Sequence, residues 1–255
     1  MTSEPTVTRA LSGRRVLVVG ASSGIGRAVG IAACNAGARV ALAARRLDLC
    51  QEAAAELGLD AVALGCDVRD PASCEAVVAE AVEALGGLDA IVYAVGVSPL
   101  VRLADAGPDT WRAVVDSNLI GAGLICRAAL PHLRASKGRA VFLSSSSVGR
   151  PYPALSIYAA SKAALEEMIR GWRAENPDLC FSCVVVGPTI GTQLTRSWNT
   201  DSAAEMFPFW ARHGYDTGSL LMQPEDIAAT VVGVLTSQVY VLYAWAQADP
   251  SNAAR

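Results

Sequence analysis

The sequence predicts an α/β fold: a doubly wound parallel sheet of about seven strands with helices on both faces. Two observations carry this. Short apolar runs without period-2 alternation recur along the chain, which is how strands buried on both faces read. Helical stretches bounded by caps and glycines stand between them, in regular alternation. With 52% hydrophobic and 18% charged residues, the 255-residue chain holds enough apolar material for a large core. A single domain over residues 1–255 is expected at this length.

The first strand is Arg15–Val19 (RVLVV), broken at Gly20. A helix follows from about Gly24 to Ala36, with Gly37 placed to end it. Arg39–Ala43 is the second strand, Leu47–Leu57 a helix ending at Gly58, and Ala61–Leu64 the third strand. Asp70-Pro71 pairs an N-cap with a first-turn proline, and that helix runs to Leu85 and Gly86. Ala90–Val95 is the fourth strand. Pro108–Ala135 reads as one long helix, with Pro131 expected to bend or shorten its end. Ala140–Leu143 is strand, Tyr158–Glu175 helix, Phe181–Val186 strand, Pro224–Thr236 helix and Val239–Tyr243 the last strand. Residues 193–222 break the rhythm: their periodicity is weak and aromatics are frequent.

The 21 basic and 24 acidic residues give a net charge of −3, and no basic run exceeds the pairs Arg14-Arg15 and Arg45-Arg46. No nucleic-acid partner is expected. The polar N-terminal stretch lacks the apolar core of a secretory signal. No uninterrupted apolar run approaches the ~18–20 residues that span a bilayer, so no membrane partner is expected. Seven scattered cysteines suit a reducing, cytoplasmic setting. Cys180-Phe181-Ser182-Cys183 enters a strand rather than a helix N-terminus, so it reads as structural thiols. The two histidines, His132 and His213, have no ligand-like neighbours, and no metal site is expected.

Gly20-Ala21-Ser22-Ser23-Gly24-Ile25-Gly26 joins the first strand to the first helix. Gly20 lets the chain turn off the strand, Gly24 leaves room for a phosphate, and Gly26 lets the helix pack closely. The helix N-terminus then offers N–H donors to a pyrophosphate, a Rossmann-like arrangement. An ordinary glycine-rich turn is the alternative. At the end of the second strand such a site tests the ribose 2′ position. The residues there are Arg45 and Arg46, with no carboxylate. Guanidinium forks suit a 2′-phosphate, so NADP(H) is expected over NAD(H).

Tyr158 and Lys162 lie four apart and share one helix face. A phenol is a poor base near neutral pH, and an adjacent ammonium favours its ionised form. The pair is a candidate general acid/base for a carbonyl or alcohol. Together, Gly20–Gly26, Asn118, a serine-rich strand end and Tyr158/Lys162 resemble the compact branch of the short-chain dehydrogenase/reductase family. The resemblance covers about Gly13 to Thr236.

The resemblance implies a catalytic serine at the end of the fifth strand. Strand register and the interval to the tyrosine point to Ser145, with Ser144, Ser146 and Ser147 as competitors. It implies that Asn118 holds a water relaying protons to Lys162; the other reading of Asn118 is a polar residue at a helix bend. It implies cofactor contacts at Ser22, Ser23, Ile25, Asp67, Val68, Gly96, Tyr158 and Lys162, with backbone Ile190 and Thr192 on the nicotinamide side. Asp67 would meet the adenine, or simply cap its loop. Tyr93-Ala94-Val95-Gly96 stands where the family has Asn-Asn-Ala-Gly, and only the glycine is kept.

The implied chemistry is reversible hydride transfer between a nicotinamide and a carbonyl carbon. Tyr158 would donate the proton, Ser145 a hydrogen bond to the same oxygen, and Lys162 would lower the tyrosine pKa. Residues 193–222 hold Trp198, Phe207, Phe209, Trp210 and Tyr215 and match the family's substrate loop. Pro99, Leu100, Val148 and Tyr152 are candidates for the opposite wall, and Arg212 or His213 for a polar end. An apolar or aromatic ketone or alcohol is expected. The same aromatics could instead cover a subunit interface. The resemblance also implies a homodimer or homotetramer. A cofactor-binding regulator without turnover, or an epimerase or dehydratase on the same fold, are the competing classes.

Overall fold

The computed structural model describes residues 10–196, 198–215 and 221–249. Seven parallel strands form one sheet in the order β3-β2-β1-β4-β5-β6-β7. They are β1 Arg15–Val19, β2 Arg39–Ala44, β3 Ala61–Gly65, β4 Ala90–Tyr93, β5 Arg139–Ser145, β6 Cys180–Val186 and β7 Tyr243–Ala246. The helices are α1 Gly24–Asn35, α2 Leu47–Leu57, α3 Pro71–Leu85, α4 Pro108–Val115, α5 Gly121–Ser136, α6 Ser156–Glu175, α7 Thr200–Arg212 and α8 Pro224–Thr236.

Both faces of the sheet are buried, as the unbroken apolar runs require. Leu17 and Val19 of β1 enter one core layer, with α3, α5 and α6. Val16 and Val18 enter the other, with α1, α2 and α8. The strand order reverses between β1 and β4. In such sheets a crevice opens there, beyond the strand carboxyl ends.

Four expectations need correction. The long helix is interrupted by a π-turn at Asp116–Ile120, and its last segment continues five residues past Pro131 to Ser136. The strand at the C-terminal end starts at Tyr243 rather than Val239, because its ladder with β6 begins at Cys183↔Tyr243. The residues before it pack beside β6 through other bonds: the Tyr240 hydroxyl accepts the Phe181 N–H, and the Val241 carbonyl accepts the Ser182 hydroxyl. β5 runs on into the serines, paired as Ser144↔Val185 and Ser145↔Val186. Finally, the aromatic segment 193–222 contains a full helix, α7, started by Asn199, whose side chain accepts the Asp201 N–H at 2.8 Å. Residues 197 and 216–220 of that segment lie outside the described residues.

The Pro108–Ser136 run is long and apolar enough to cross a membrane by composition alone. Here its Ala122, Ile125, Cys126, Ala129 and Leu133 are core residues packed on the sheet.

Candidate active site

A cavity of about 1210 Å³ opens at the carboxyl ends of β1, β4, β5 and β6. Its size exceeds that of a pocket for one drug-sized ligand, roughly 300–1,000 Å³. The glycine loop forms one wall. Gly20 has φ +95°, and a Cβ there would stand 2.9 Å from the Ala94 backbone. A Cβ on Gly26 would stand 2.2 Å from the Gly20 carbonyl oxygen, so only glycine lets α1 come this close. Gly24 backs onto Thr192, and Ile25 also lines the cavity.

Ser23 is the N-cap residue of α1, yet its hydroxyl does not cap the helix. Instead the Arg46 guanidinium donates to Ser23 Oγ at 2.8 Å and to Ser22 Oγ at 3.0 Å. A half-buried cation, two hydroxyls and the free N–H groups of a helix start thus converge on one corner. This is a donor set suited to phosphate oxygens. Arg45 is exposed beside it, on the same wall.

Of the two readings of Asp67, the loop cap is present: its Oδ1 accepts the Arg69 N–H at 3.1 Å. Its carboxylate is held by Arg69, with Nη2–Oδ2 at 2.6 Å and Nε–Oδ1 at 3.0 Å. The Arg69 bonds pull its pKa down to about 2. Asp67 is outside the cavity wall; its neighbours Cys66 and Val68 line it. Gly96 lines the floor, where a Cβ would lie 3.8 Å from Lys162 Nζ.

Tyr158 and Lys162 project from α6 beneath the end of β5, and both are buried. Lys162 Nζ donates to the Leu143 carbonyl at 2.8 Å. Burial pushes its ammonium down to about 8. The Ser145 hydroxyl is near enough to the Tyr158 phenol to favour its ionised form. Burial raises the phenol pKa, and the Ser145 hydroxyl opposes that rise. Lys162 is not among the groups that shift this phenol in the structure. Lys162 Nζ lies 5.9 Å from the ring centroid and bonds elsewhere, and desolvation is the larger effect.

The four serines separate by partner. Ser145 lies near Tyr158 and accepts the Ser147 hydroxyl at 3.0 Å. Ser144 also lines the cavity, and its hydroxyl donates to the Glu166 carboxylate at 2.5 Å. The Ser146 N–H donates to the Val186 carbonyl. Asn118, in the π-turn, is fully buried. Its Oδ1 accepts the Val97 N–H at 2.8 Å, and its Nδ2 donates to Val97 O and Ser161 Oγ at 3.0 Å each. Ser161 Oγ in turn donates to the Tyr158 carbonyl at 2.7 Å. Sequence reasoning missed Ser161 and Glu166; both sit at helical spacing from Tyr158 and Lys162, which is the signal that could have found them.

Ile190 and Thr192 both line the cavity. The Ile190 N–H is engaged by the Met222 carbonyl at 3.0 Å, so only its carbonyl is left to face a ligand. Tyr152, Trp198, Phe207 and Trp210 give the outer half an aromatic wall. Phe209 and Tyr215 lie outside that wall, as do Pro99 and Val148. Leu100 packs behind it, against the apolar cluster of Ala154, Met206 and Trp210. Arg212 and His213 are exposed, with the His213 ring stacked on Phe209 at 4.1 Å. The cationic residue on the outer wall is Arg196 instead. Two indole bonds fasten this aromatic segment: Trp198 Nε1 to Ser98 O at 2.6 Å and Trp210 Nε1 to Pro153 O at 2.9 Å. All seven cysteines are free, and among the described residues no cluster could hold a metal ion.

The family described as short chain dehydrogenase matches residues 14–203. The chain is 33% identical to the glycine betaine reductase ATRR of Emericella nidulans, over 91% of this chain and 18% of that protein. It is 35% identical to the 11-beta-hydroxysteroid dehydrogenase-like 2 of Arabidopsis thaliana, over 72% of this chain and 62% of that protein. It thus spans less than two thirds of either relative's length. Among solved structures it resembles an alcohol dehydrogenase from Thermococcus sibiricus complexed with 5-hydroxy-NADP, with TM-score 0.80 and 25% identity, covering 92% of this chain and 96% of that one.

Proposed function

The chain belongs to the short-chain dehydrogenase family, and from that premise we propose that it interconverts a ketone or aldehyde and an alcohol, using NADP(H), on an apolar or aromatic substrate. The observation that carries this reading is that buried Ser145, Tyr158 and Lys162 line one cavity of about 1210 Å³ together with the glycine loop.

The donor set fits a phosphorylated dinucleotide. Arg46, Ser22 and Ser23 would hold its 2′-phosphate, and the loop N–H groups of Gly24 to Gly26 its pyrophosphate. A nicotinamide, when bound, supplies or accepts the hydride. Tyr158 then donates its proton to the oxygen of the reacting carbonyl. Ser145 donates a hydrogen bond to that same oxygen, where charge develops. Its acceptor side is already occupied by Ser147, which leaves its own proton free to point there. Lys162, anchored on Leu143, holds two further N–H donors for a ribose and the proton path. Asn118 braces the Val97 and Ser161 segments on either side of that path. The aromatic lid excludes water and favours an apolar substrate. A homodimer or homotetramer is part of the proposal.

The test is a titration with NADPH and with NADH, read by energy transfer from the tryptophans, followed by a ketone screen with the preferred cofactor. Tyr158→Phe should bind NADPH as the wild type does and turn over ~10²–10⁴-fold more slowly. Unchanged turnover in that variant would sink the proposed chemistry. Aromatic faces also bind quaternary ammonium groups, and the first relative is named for glycine betaine. The screen therefore carries one aldehyde bearing a trimethylammonium group.

A further inference from the structure

Helical bonding changes at one place between Pro108 and Ser136. The Gly121 N–H reaches five residues back, to the Asp116 carbonyl. In an α-helix it would take the Ser117 carbonyl, four residues back. Ser117 is buried, where a carbonyl without a partner is unfavourable. The Tyr93 hydroxyl supplies that partner, donating to Ser117 O at 2.5 Å. Tyr93 sits at the end of β4 and is 1% exposed. Burial pushes its phenol well above the ordinary range, so the hydroxyl remains a donor. Gly121 makes the room: a Cβ there would stand 2.7 Å from the Tyr93 hydroxyl and 2.8 Å from Val68.

The residue after Ser117 is Asn118, whose amide ties Val97 to Ser161, and Ser161 is bonded to the Tyr158 carbonyl. One line of contacts therefore runs from the sheet, through the π-turn, to the helix that carries Tyr158 and Lys162. We propose that Tyr93 is a positioning residue: by capturing the Ser117 carbonyl it holds the π-turn open and aims Asn118 at Val97 and Ser161. Tyr93 is outside the cavity wall, so it acts on the reaction only through Asn118. The effect on turnover rests on the reductase reading above; the effect on the π-turn does not.

Tyr93→Phe keeps the ring and removes the donor. Amide hydrogen exchange in peptides covering 116–122 should become about tenfold faster than in the wild type, the scale of one lost hydrogen bond. For the ketone found by screening, kcat should fall about tenfold, with KM and the NADPH affinity unchanged. Val78→Ala, in the same core layer, is the control for general loss of stability. It should lower Tm without selective exchange at 116–122 and without the kcat change. Tyr93→Phe behaving like the wild type, or changing only as Val78→Ala does, overturns the proposal. If the wild type binds no nicotinamide cofactor and reduces nothing, the reductase reading has failed, and exchange at 116–122 alone decides the role of Tyr93.

Discussion

Ser144 Oγ donates to the Glu166 carboxylate at 2.5 Å, with both residues buried. The adjacent Ser145 accepts from Ser147 and lines the cavity with Tyr158. The two serines should therefore fail in opposite ways. Ser144→Ala leaves a buried carboxylate short of a donor, which costs about 1–3 kcal/mol of stability. Its turnover should change little. Ser145→Ala should lose ~10²–10³ in kcat, the scale of one donor to a developing oxyanion, with little change in Tm. Thermal unfolding and steady-state kinetics on the same pair of variants check both.

Arg46 is expected to set cofactor choice. Hydrogen bonds to charged groups contribute about 1.5–3 kcal/mol. Arg46→Ala should weaken NADPH binding about 10- to 100-fold and leave NADH within a small factor. A variant that loses both cofactors equally would point to collapse of the Ser22–Ser23 loop rather than loss of a phosphate clamp.

Lys162 ties stability to pH. Burial holds its ammonium at about 8 in the folded state, against about 10.4 in an unfolded chain. Between those values the unfolded state binds more protons, so this residue's contribution rises with pH. Below about pH 8 both states are protonated and the burial penalty is constant. Lys162→Met removes this titration, so the stability of the wild type relative to the variant should rise as pH goes from 8 to 10 and stay level below 8. Denaturant melts of the two proteins across pH 7–10 measure the difference, and titrations common to both cancel.

The α7 segment should loosen when its flanking indole bonds are removed. Trp198→Phe and Trp210→Phe each keep an aromatic ring and remove one bond, to Ser98 O and Pro153 O respectively. Each lost bond is worth about 1 kcal/mol. Hydrogen exchange in α7 should accelerate roughly fivefold per variant, while the sheet strands stay protected. Equal acceleration throughout the molecule would show that α7 does not open on its own.

The alternating strands and the first crossover were legible because a strand buried on both faces must be apolar at every position, and Val16 to Val19 are. β5 was legible only to Leu143. Serine is a loop residue by composition, and Ser144 and Ser145 are extended because Val185 and Val186 pair with them. α7 was hidden because Pro208 falls inside it and only Met206 and Trp210 turn inward, too few to show a period. The last strand was misplaced because Val239–Tyr243 has strand composition, yet Val239 and Leu242 are exposed beside the ladder rather than in it. Within the site, the motif residues could be named from spacing. What Lys162 does to Tyr158 could not, since a separation of four residues says nothing about which part of the phenol the ammonium meets. Asp67 is similar: its position matched a pattern, and only folding brings Arg69 onto its carboxylate.

Because β5 stays in register with β6 through Ser145↔Val186, the site inherits the parity of the strand. Ala140, Phe142 and Ser144 alternate with Val141, Leu143 and Ser145, and the two sets belong to different sides of the sheet. Inserting or deleting a single residue between Arg139 and Ser145 would exchange them, putting the hydroxyl that bonds Glu166 in the place Ser145 holds near Tyr158. Length variation is thus tolerable only beyond Ser147 or before Arg139. A change of residue type within the strand alters one contact, whereas a change of count rewires two.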